Sequence, residues 1–210
     1  ACSDNSASAE EFNAASICPE SGRGSFVDDR DGKTYQYTTI GGQVWMAENL
    51  RYNIKEDTDA DPSNDFRSEC FFSDDSCSVM GLVYNWNAAK GACPRGWHLP
   101  SEKEWNILVG RMGGDVEANY RLRATSGWKE LNRNENLNGS DDCGFMLLPS
   151  QETYKPNIGY VADAWSSSEG SSEDNELILF FRVVSYRTDL KLLYTDGYKS
   201  DLKSIRCLKD

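Results

Sequence analysis

The sequence ACPRGWHLPS at residues 92–101 decides the fold, because it ends one helix and begins the next. A short helical pattern covers residues 84–92, and Pro94 and Gly96 terminate it. Ser101 and Glu104 then have the spacing of a capping box, in which each side chain satisfies a backbone N–H at a helix start. The helix predicted after this box ends at Gly113-Gly114, and its apolar stripe consists of Trp105, Leu108, Val109 and Met112.

Strand patterns precede this helical region. A run of β-branched and aromatic residues at 34–40 follows the turn pair Asp31-Gly32. A second short pattern, Val44-Trp45-Met46, follows the turn pair Gly41-Gly42. We therefore expect two neighbouring strands here.

Further strand patterns lie near the end of the chain, after a loop-rich stretch. Residues 177–184 form a near-continuous apolar run that is typical of a buried strand. Residues 186–194 and 202–208 predict two more strands, separated by a turn at Asp196-Gly197.

The composition is typical of one acidic globular domain. The chain has 210 residues, of which 39% are hydrophobic, and its 6 Trp, 10 Tyr and 8 Phe are enough for a core. A net charge of −12 argues against nucleic acids and anionic membrane surfaces as binding partners, because both bind to basic protein surfaces. No apolar run has the length of a membrane span.

The cysteines indicate the compartment. Seven cysteines are dispersed without a Cys-x-x-Cys pair and with a single histidine, which favours disulfides in an oxidising compartment over zinc or haem. The start ACSDNSASA is typical of a segment exposed by signal-peptide removal, so we expect an extracellular or outer cell-surface protein. Residues 1–24 predict an N-terminal arm or linker, and residues 25–210 the folded domain.

Two stretches resemble C-type-lectin-like domains. In that fold a first helix ends in a cysteine, a short strand follows, and a second helix begins at a capped serine, as in residues 86–104. The terminal Ser204-Ile205-Arg206-Cys207 resembles the last strand with its closing cysteine.

A broader resemblance covers residues 26–210. The chain resembles the Fibrobacter succinogenes major paralogous domain, which occurs in secreted and surface proteins of bacteria. Six motifs carry it in the right order: Asp29–Tyr35, Trp45–Leu50, Ala92–Ser101, Gly144-Phe145 with Leu148-Pro149, Trp165–Glu169 and Ser204–Asp210. Together the resemblances imply an α+β, C-type-lectin-like domain: two helices packed on small, twisted antiparallel sheets, with long loops and disulfide bracing.

The resemblances also imply disulfide pairs. They imply Cys93–Cys207 and Cys70–Cys77, after which Cys18 and Cys143 remain as the natural third pair, pinning the arm to the domain. Cys2 is left over, and a lipid anchor, an intermolecular disulfide and a free thiol stay open. Ala1 counts against the lipid unless it is retained precursor or cloning sequence, because the anchored cysteine is the first residue of a mature chain.

An acidic loop at residues 57–65 offers carboxylates at alternate positions. Hard calcium ions bind such oxygen clusters, but Pro62 replaces the usual glycine and Ser68 stands where a bidentate glutamate is needed. A calcium site and a solvated acidic loop are the two interpretations, and no cofactor is required in either. The ligands in the first are Asp57, Asp59, Asp61 and Asp65.

Sugar binding through calcium is not expected. The Glu-Pro-Asn or Gln-Pro-Asp motif of sugar-binding C-type lectins is replaced by Lys155-Pro156-Asn157, whose cation cannot bind calcium. Five tryptophans lie inside fold motifs and are expected in the core. Trp128 and Tyr154 lie in loops and are the candidates for stacking on a polysaccharide.

A catalytic site is not expected either. His98 lies in the Trp-His-Leu-Pro turn without a serine or cysteine motif, so it is interpreted as a structural histidine. We expect a non-catalytic surface module for assembly, adhesion or scaffold contacts, self-assembling through its N-terminal arm or binding a protein partner. A polysaccharide-binding module that uses loop aromatics is the alternative.

Overall fold

A computed structural model describes residues 12–54, 66–70, 74–129, 135–150, 159–170, 177–187 and 191–210. Within them the chain is an α+β domain with small antiparallel sheets and three disulfides. The helices are α1 (Ala14–Ile17), α2 (Asp74–Met80), α3 (Trp86–Ala92), α4 (Glu102–Arg111) and α5 (Asp115–Arg121), with a 3-10 turn at Glu20–Gly22. The strands are β1 (Gly24–Val27), β2 (Thr34–Ile40), β3 (Gln43–Met46), β4 (Ser68–Glu69), β5 (Val83–Tyr84), β6 (Trp97–His98), β7 (Val161–Glu169), β8 (Leu177–Val184), β9 (Leu193–Tyr198) and β10 (Leu208–Lys209).

The two helices predicted from sequence are present as α3 and α4. The capping box of α4 is formed, with the Ser101 backbone N–H and hydroxyl both donating to Glu104 at 2.7 Å. The expectation of only two helices was wrong, because α1, α2 and α5 are also helical. These three have seven residues or fewer, and helices so short depend on caps and tertiary packing rather than on a long periodic pattern.

A five-stranded sheet has the order β1-β2-β3-β10-β6. Strands β2 and β3 form a hairpin in which Ile40 pairs with Gln43 across Gly41-Gly42. Both glycines have positive φ, 57° and 90°, which a two-residue hairpin turn of this kind requires. The last strand, β10, inserts between β3 and β6, so the C-terminal end closes this sheet.

A three-stranded sheet has the order β7-β8-β9 and corrects two expectations. Strand β7 lies in the stretch that the sequence predicted as loop-rich. Asp196-Gly197 lies within β9 rather than in a turn, and Gly197 pairs with Ile178 of β8. A glycine in a strand permits close approach of a neighbour, and the Phe180 ring lies 2.9 Å from the position of a Cβ on Gly197.

The core contains stacked aromatic rings. Trp105 of α4 stacks on Phe181 of β8, with centroids 4.4 Å apart, and contacts Trp45 of β3 at 4.7 Å. The α4 helix thereby joins the two larger sheets. Such aromatic pairs contribute about 0.5–1.5 kcal/mol beyond their burial.

Part of the predicted arm belongs to the folded body. Phe12, Ala14 and Ile17 pack against the core, and the Arg121 guanidinium lies 4.0 Å from the centre of the Phe12 ring. Cys18 is buried and bonded to Cys143. Packing thus begins before residue 25 along the described chain.

The three disulfides are the two pairs that the resemblances implied and the third pair that remained after them. They join Cys93 to Cys207, Cys70 to Cys77, and Cys18 to Cys143. The first connects the end of α3 with the residue before β10. None of the helices in the described residues is long and apolar enough to cross a membrane.

Candidate binding site

A cavity of about 190 Å³ lies where four parts of the chain meet: residues 47–51, the end of α2, residues 146–148, and Arg206. Disulfide Cys70–Cys77 braces α2, and β10 anchors the chain near residue 206. The side chains around the cavity combine cations with apolar groups. They are Ala47, Glu48, Asn49, Arg51, Ser78, Val79, Met146, Leu148 and Arg206.

Arg206 is the most buried polar residue of this cavity, with 1% of its surface exposed. Its Nε donates to Asn49 Oδ1 at 3.1 Å. Its Nη1 donates to the carbonyls of Met46 at 3.2 Å and Phe145 at 2.5 Å, and its Nη2 reaches the carbonyl of Met146 at 3.4 Å. The guanidinium therefore ties together the end of β3 and the 145–146 loop.

Among the described residues, no carboxylate is in direct contact with Arg206 to balance its charge. All its hydrogen bonds go to amide oxygens. Burial lowers the pKa of Arg206 to about 9, and the negative charges of Glu48 and Asp141 oppose this only in part. The residue is still a cation at neutral pH, so the cavity contains a buried positive charge.

A second cation, Arg51, lies on the same cavity. Its Nη1 donates to Glu48 Oε1 at 3.1 Å and to the Ser78 carbonyl at 2.9 Å. Its Nη2 donates to the Thr34 carbonyl, and its buried Nε has no hydrogen-bond partner among the described residues. Glu48 is fully engaged, because its Oε2 accepts the backbone N–H of Gln36 at 2.6 Å.

The rim of the cavity is apolar and exposed. Val79 is 63% exposed and Met146 is 43% exposed. Met146 has φ 53°, a left-handed conformation that costs a residue with a Cβ about 1–2 kcal/mol. Its neighbour Asp141, at φ 47°, holds it by accepting the Met146 N–H at 2.8 Å. The loop is thus held in a strained shape that presents Met146 at the surface, and strain of this kind clusters at functional sites.

Of the two predicted ligand-stacking residues, the structure describes Trp128 alone, and it buries this side chain. Trp128 is 5% exposed and its indole N–H donates to the Leu147 carbonyl at 3.0 Å, so the prediction that it stacks on a ligand was wrong. Its ring packs in the core, where Arg123 lies 5.5 Å from its centre. Tyr154 lies outside the described residues.

The predicted calcium ligands Asp57, Asp59, Asp61 and Asp65 lie outside the described residues, as does Cys2. In the part of the chain that is described, no group of three His, Cys, Asp or Glu side chains is placed to hold a metal ion.

His98 is held between two carboxylates. Its Nδ1 lies 2.7 Å from Asp210 and its Nε2 lies 3.1 Å from Glu104. Both ring nitrogens therefore have side-chain partners within the fold. This arrangement fits the structural role predicted from sequence.

Sequence reasoning missed the cavity. In the sequence, Arg206 stands out only as part of the Ser-Ile-Arg-Cys motif. The sequence signal for its role was its position between the apolar residues Ile205 and Cys207, both of which are buried in the structure. A charged residue inside a buried run must have partners within the protein. The positive φ of Met146 has no sequence signal, since methionine carries no preference for it.

The class of protein is a small α+β domain that is braced by disulfides and whose last strand, β10, lies between β3 and β6. The chain belongs to the Fibrobacter succinogenes major domain family, whose model matches residues 38–209. This confirms the resemblance found in the sequence. Comparison with curated proteins gave no match, and comparison with solved structures gave none either.

Proposed function

We propose that this chain is a non-catalytic, extracellular or cell-surface module that binds a protein partner in assembly, adhesion or scaffold contacts. The observation that carries the proposal is the exposed apolar rim of Val79 and Met146 beside the buried Arg206. Exposed apolar groups around a desolvated cation are typical of the centre of a protein–protein interface, where aromatic residues, Met and Arg are enriched.

The proposed fold is C-type-lectin-like. Cysteines that join the end of the first main helix to the last strand support it, as does the short strand β6 between α3 and α4. Three disulfides are typical of proteins made in an oxidising compartment, which supports an extracellular location.

A non-catalytic role is supported by the fully engaged His98 and by the carbonyl partners of Arg206. Both are structural arrangements. We propose no required cofactor, with calcium at the 57–65 loop as an added property to be tested by calorimetry at millimolar calcium.

Self-assembly through the N-terminal arm belongs to the same proposal. Phe12 packs against the core and against Arg121, so the chain is held to the folded domain at this residue. An arm fixed at one end is able to reach a neighbouring copy, and such head-to-tail contacts propagate into filaments when the rotation does not close.

Sedimentation velocity tests self-assembly. Three proteins are compared over a wide concentration range: the full chain, the chain lacking residues 1–11, and Val79→Glu. We expect the full chain to associate, and the deletion or the rim substitution to reduce association. Val116→Glu is the matched control, because Val116 is a similarly exposed valine on α5. Identical monomers in all four proteins would overturn self-assembly.

Polysaccharide binding is the alternative function. The exposed tyrosines Tyr120, Tyr186 and Tyr198 are the aromatic side chains that favour it after the burial of Trp128. A pull-down with cellulose and a glycan array decide it, and retention that survives Val79→Glu but is lost on replacing these tyrosines with alanine would support it.

A further inference from the structure

The cavity beside Met146 has an excess of positive charge. Arg51 and Arg206 contribute two cations to its lining, and Glu48 contributes one carboxylate. The whole chain has a net charge of −12, so the charge of this cavity is opposite in sign to that of the protein. A cation-rich pocket in an acidic protein attracts an anionic group selectively.

Arg206 retains hydrogen-bonding capacity. A guanidinium has five N–H groups, and Arg206 makes four hydrogen bonds. Two N–H groups belong to Nη2, whose one acceptor is the Met146 carbonyl at the long distance of 3.4 Å. The buried Nε of Arg51 adds a donor without a partner among the described residues. Buried donors without acceptors are rare and need a physical explanation.

The groups already lining the cavity do not supply the missing acceptor. Both oxygens of Glu48 are engaged, one by Arg51 and one by Gln36. The Asn49 amide is fixed, because its oxygen accepts from Arg206 and its nitrogen donates to the Met80 carbonyl at 2.8 Å. Among the described residues, Nη2 of Arg206 and Nε of Arg51 are thus left able to donate to an acceptor that a bound partner supplies.

We infer that the cavity receives the carboxylate of an aspartate or glutamate side chain from an acidic segment of a partner polypeptide. This inference rests on the proposed protein-binding function and names the chemistry of the partner. A carboxylate matches the planar guanidinium geometrically and forms charge-assisted hydrogen bonds with it. The volume of about 190 Å³ accommodates one such side chain.

The rim favours a polypeptide over a free ion. A small anion at Arg206 leaves Val79 and Met146 exposed, whereas a chain that carries the carboxylate covers both with its flanking residues. Each buried methylene of that contact contributes about 0.8 kcal/mol to hydrophobic stabilisation. We therefore expect apolar residues beside the acidic one.

The test uses the full chain and three probes. They are a blocked pentapeptide with glutamate between two leucines, the same peptide with glutamine, and sodium butyrate. Isothermal calorimetry is expected to give about 10- to 100-fold tighter binding for the glutamate peptide than for the glutamine peptide. Butyrate is expected to bind more weakly than the glutamate peptide. Equal affinities of the two peptides would overturn the inference.

Substitutions locate the site. Val79→Glu is expected to weaken binding of the glutamate peptide at least about tenfold, by placing a like charge at the rim. Val116→Glu adds the same charge elsewhere and is expected to leave binding unchanged.

A second measurement avoids replacing Arg206, because its buried hydrogen bonds join separate parts of the fold. Guanidinium ¹H and ¹⁵N resonances of Arg206 are expected to shift on adding the glutamate peptide. Those of Arg123, a second arginine bonded to carbonyl oxygens, are expected to stay. A shift of neither residue would overturn the site.

The outcomes separate the inference from the function on which it rests. One outcome is that the wild type binds the glutamate and glutamine peptides equally, and that Val79→Glu abolishes association or the binding of both peptides. In that case the carboxylate inference fails and the protein-binding surface stands. If no peptide binds and rim substitutions have no effect on association, both fail. Displacement of the glutamate peptide by polygalacturonate at lower carboxylate concentration would overturn the assignment of a polypeptide.

Discussion

The imidazole Nδ1 of His98 lies 2.7 Å from Oδ1 of Asp210, which connects β6 with the residue after β10. Glu104 holds the other ring nitrogen at 3.1 Å. Burial lowers the pKa of His98, but the hydrogen bonds to Asp210 and Glu104 outweigh this, so the pKa is raised above 6.5. The C-terminal end is thus fastened by a titratable group.

This contact predicts a pH dependence of stability. Because the folded-state pKa lies above the unfolded value, protonated His98 stabilises the fold below the unfolded pKa, and the contribution is lost as the pH rises through the folded pKa. We expect the difference in free energy of unfolding between wild type and His98→Gln to be largest near pH 5.5 and to shrink by about pH 8. Urea unfolding at several pH values measures it.

The control for this prediction is direct, because His98 is the sole histidine of the chain. Its ring resonances in a proton NMR titration report the folded-state pKa without assignment. A pKa at or below 6.5, or a pH-independent effect of the substitution, would contradict the prediction.

The disulfides are expected to differ in their contribution to stability. Cys93 and Cys207 are 114 residues apart, whereas Cys70 and Cys77 are 7 apart. In the chain-entropy model, replacing the first pair with alanine destabilises the fold by about 5 kcal/mol and replacing the second by about 2–3 kcal/mol. Urea unfolding of the two double variants measures the difference, and equal losses would argue against loop closure as the cause.

Met146→Gly is expected to stabilise the protein. Glycine adopts a φ of 53° without the Cβ penalty, although it loses more entropy on folding, so the net gain is about 0.5–1 kcal/mol. Met146→Ala is the matched control: it removes the same exposed side chain but keeps the Cβ, and no gain is expected. Thermal and urea unfolding compare them, and equal stability of the two variants would show that the loop is not strained.

Asp163 of β7 is expected to stabilise the pairing of β7 with β8. It accepts two hydrogen bonds from Arg182, at 2.8 and 2.6 Å, and Lys203 lies 3.6 Å away. Asp163→Ala leaves two cations close together in a buried place, with an expected loss of about 3 kcal/mol. Asp201→Ala removes a more exposed carboxylate at the same distance from Lys203, and we expect less than about 1 kcal/mol. Urea unfolding that ranks the two variants in the opposite order would contradict this account.

The sequence by itself determined the elements whose signals are local. The capping box Ser101–Glu104 and the apolar stripe behind it predict α4 because a helix start depends on residues three apart in the chain. Strands β2 and β8 match the runs at 34–40 and 177–184 residue for residue. The family and the disulfides Cys93–Cys207 and Cys70–Cys77 followed from motifs in order along the chain, which three-dimensional packing does not alter. Cys18–Cys143 followed as the remaining pair.

Only the tertiary structure decided which side chains are covered. Trp128 sits in a loop by every local signal, yet Leu147 and the core bury it. The residues of strand β7 carry no strong strand pattern in the sequence. Its strand conformation is stabilised by pairing with β8 and by the bridge to Ser204. The site depends on the same effect: Arg206 meets Asn49, 157 residues away in the chain, and Met146 takes a left-handed conformation because Asp141 holds its N–H. Burial and strain are properties of neighbours in space, and no window of sequence contains those neighbours.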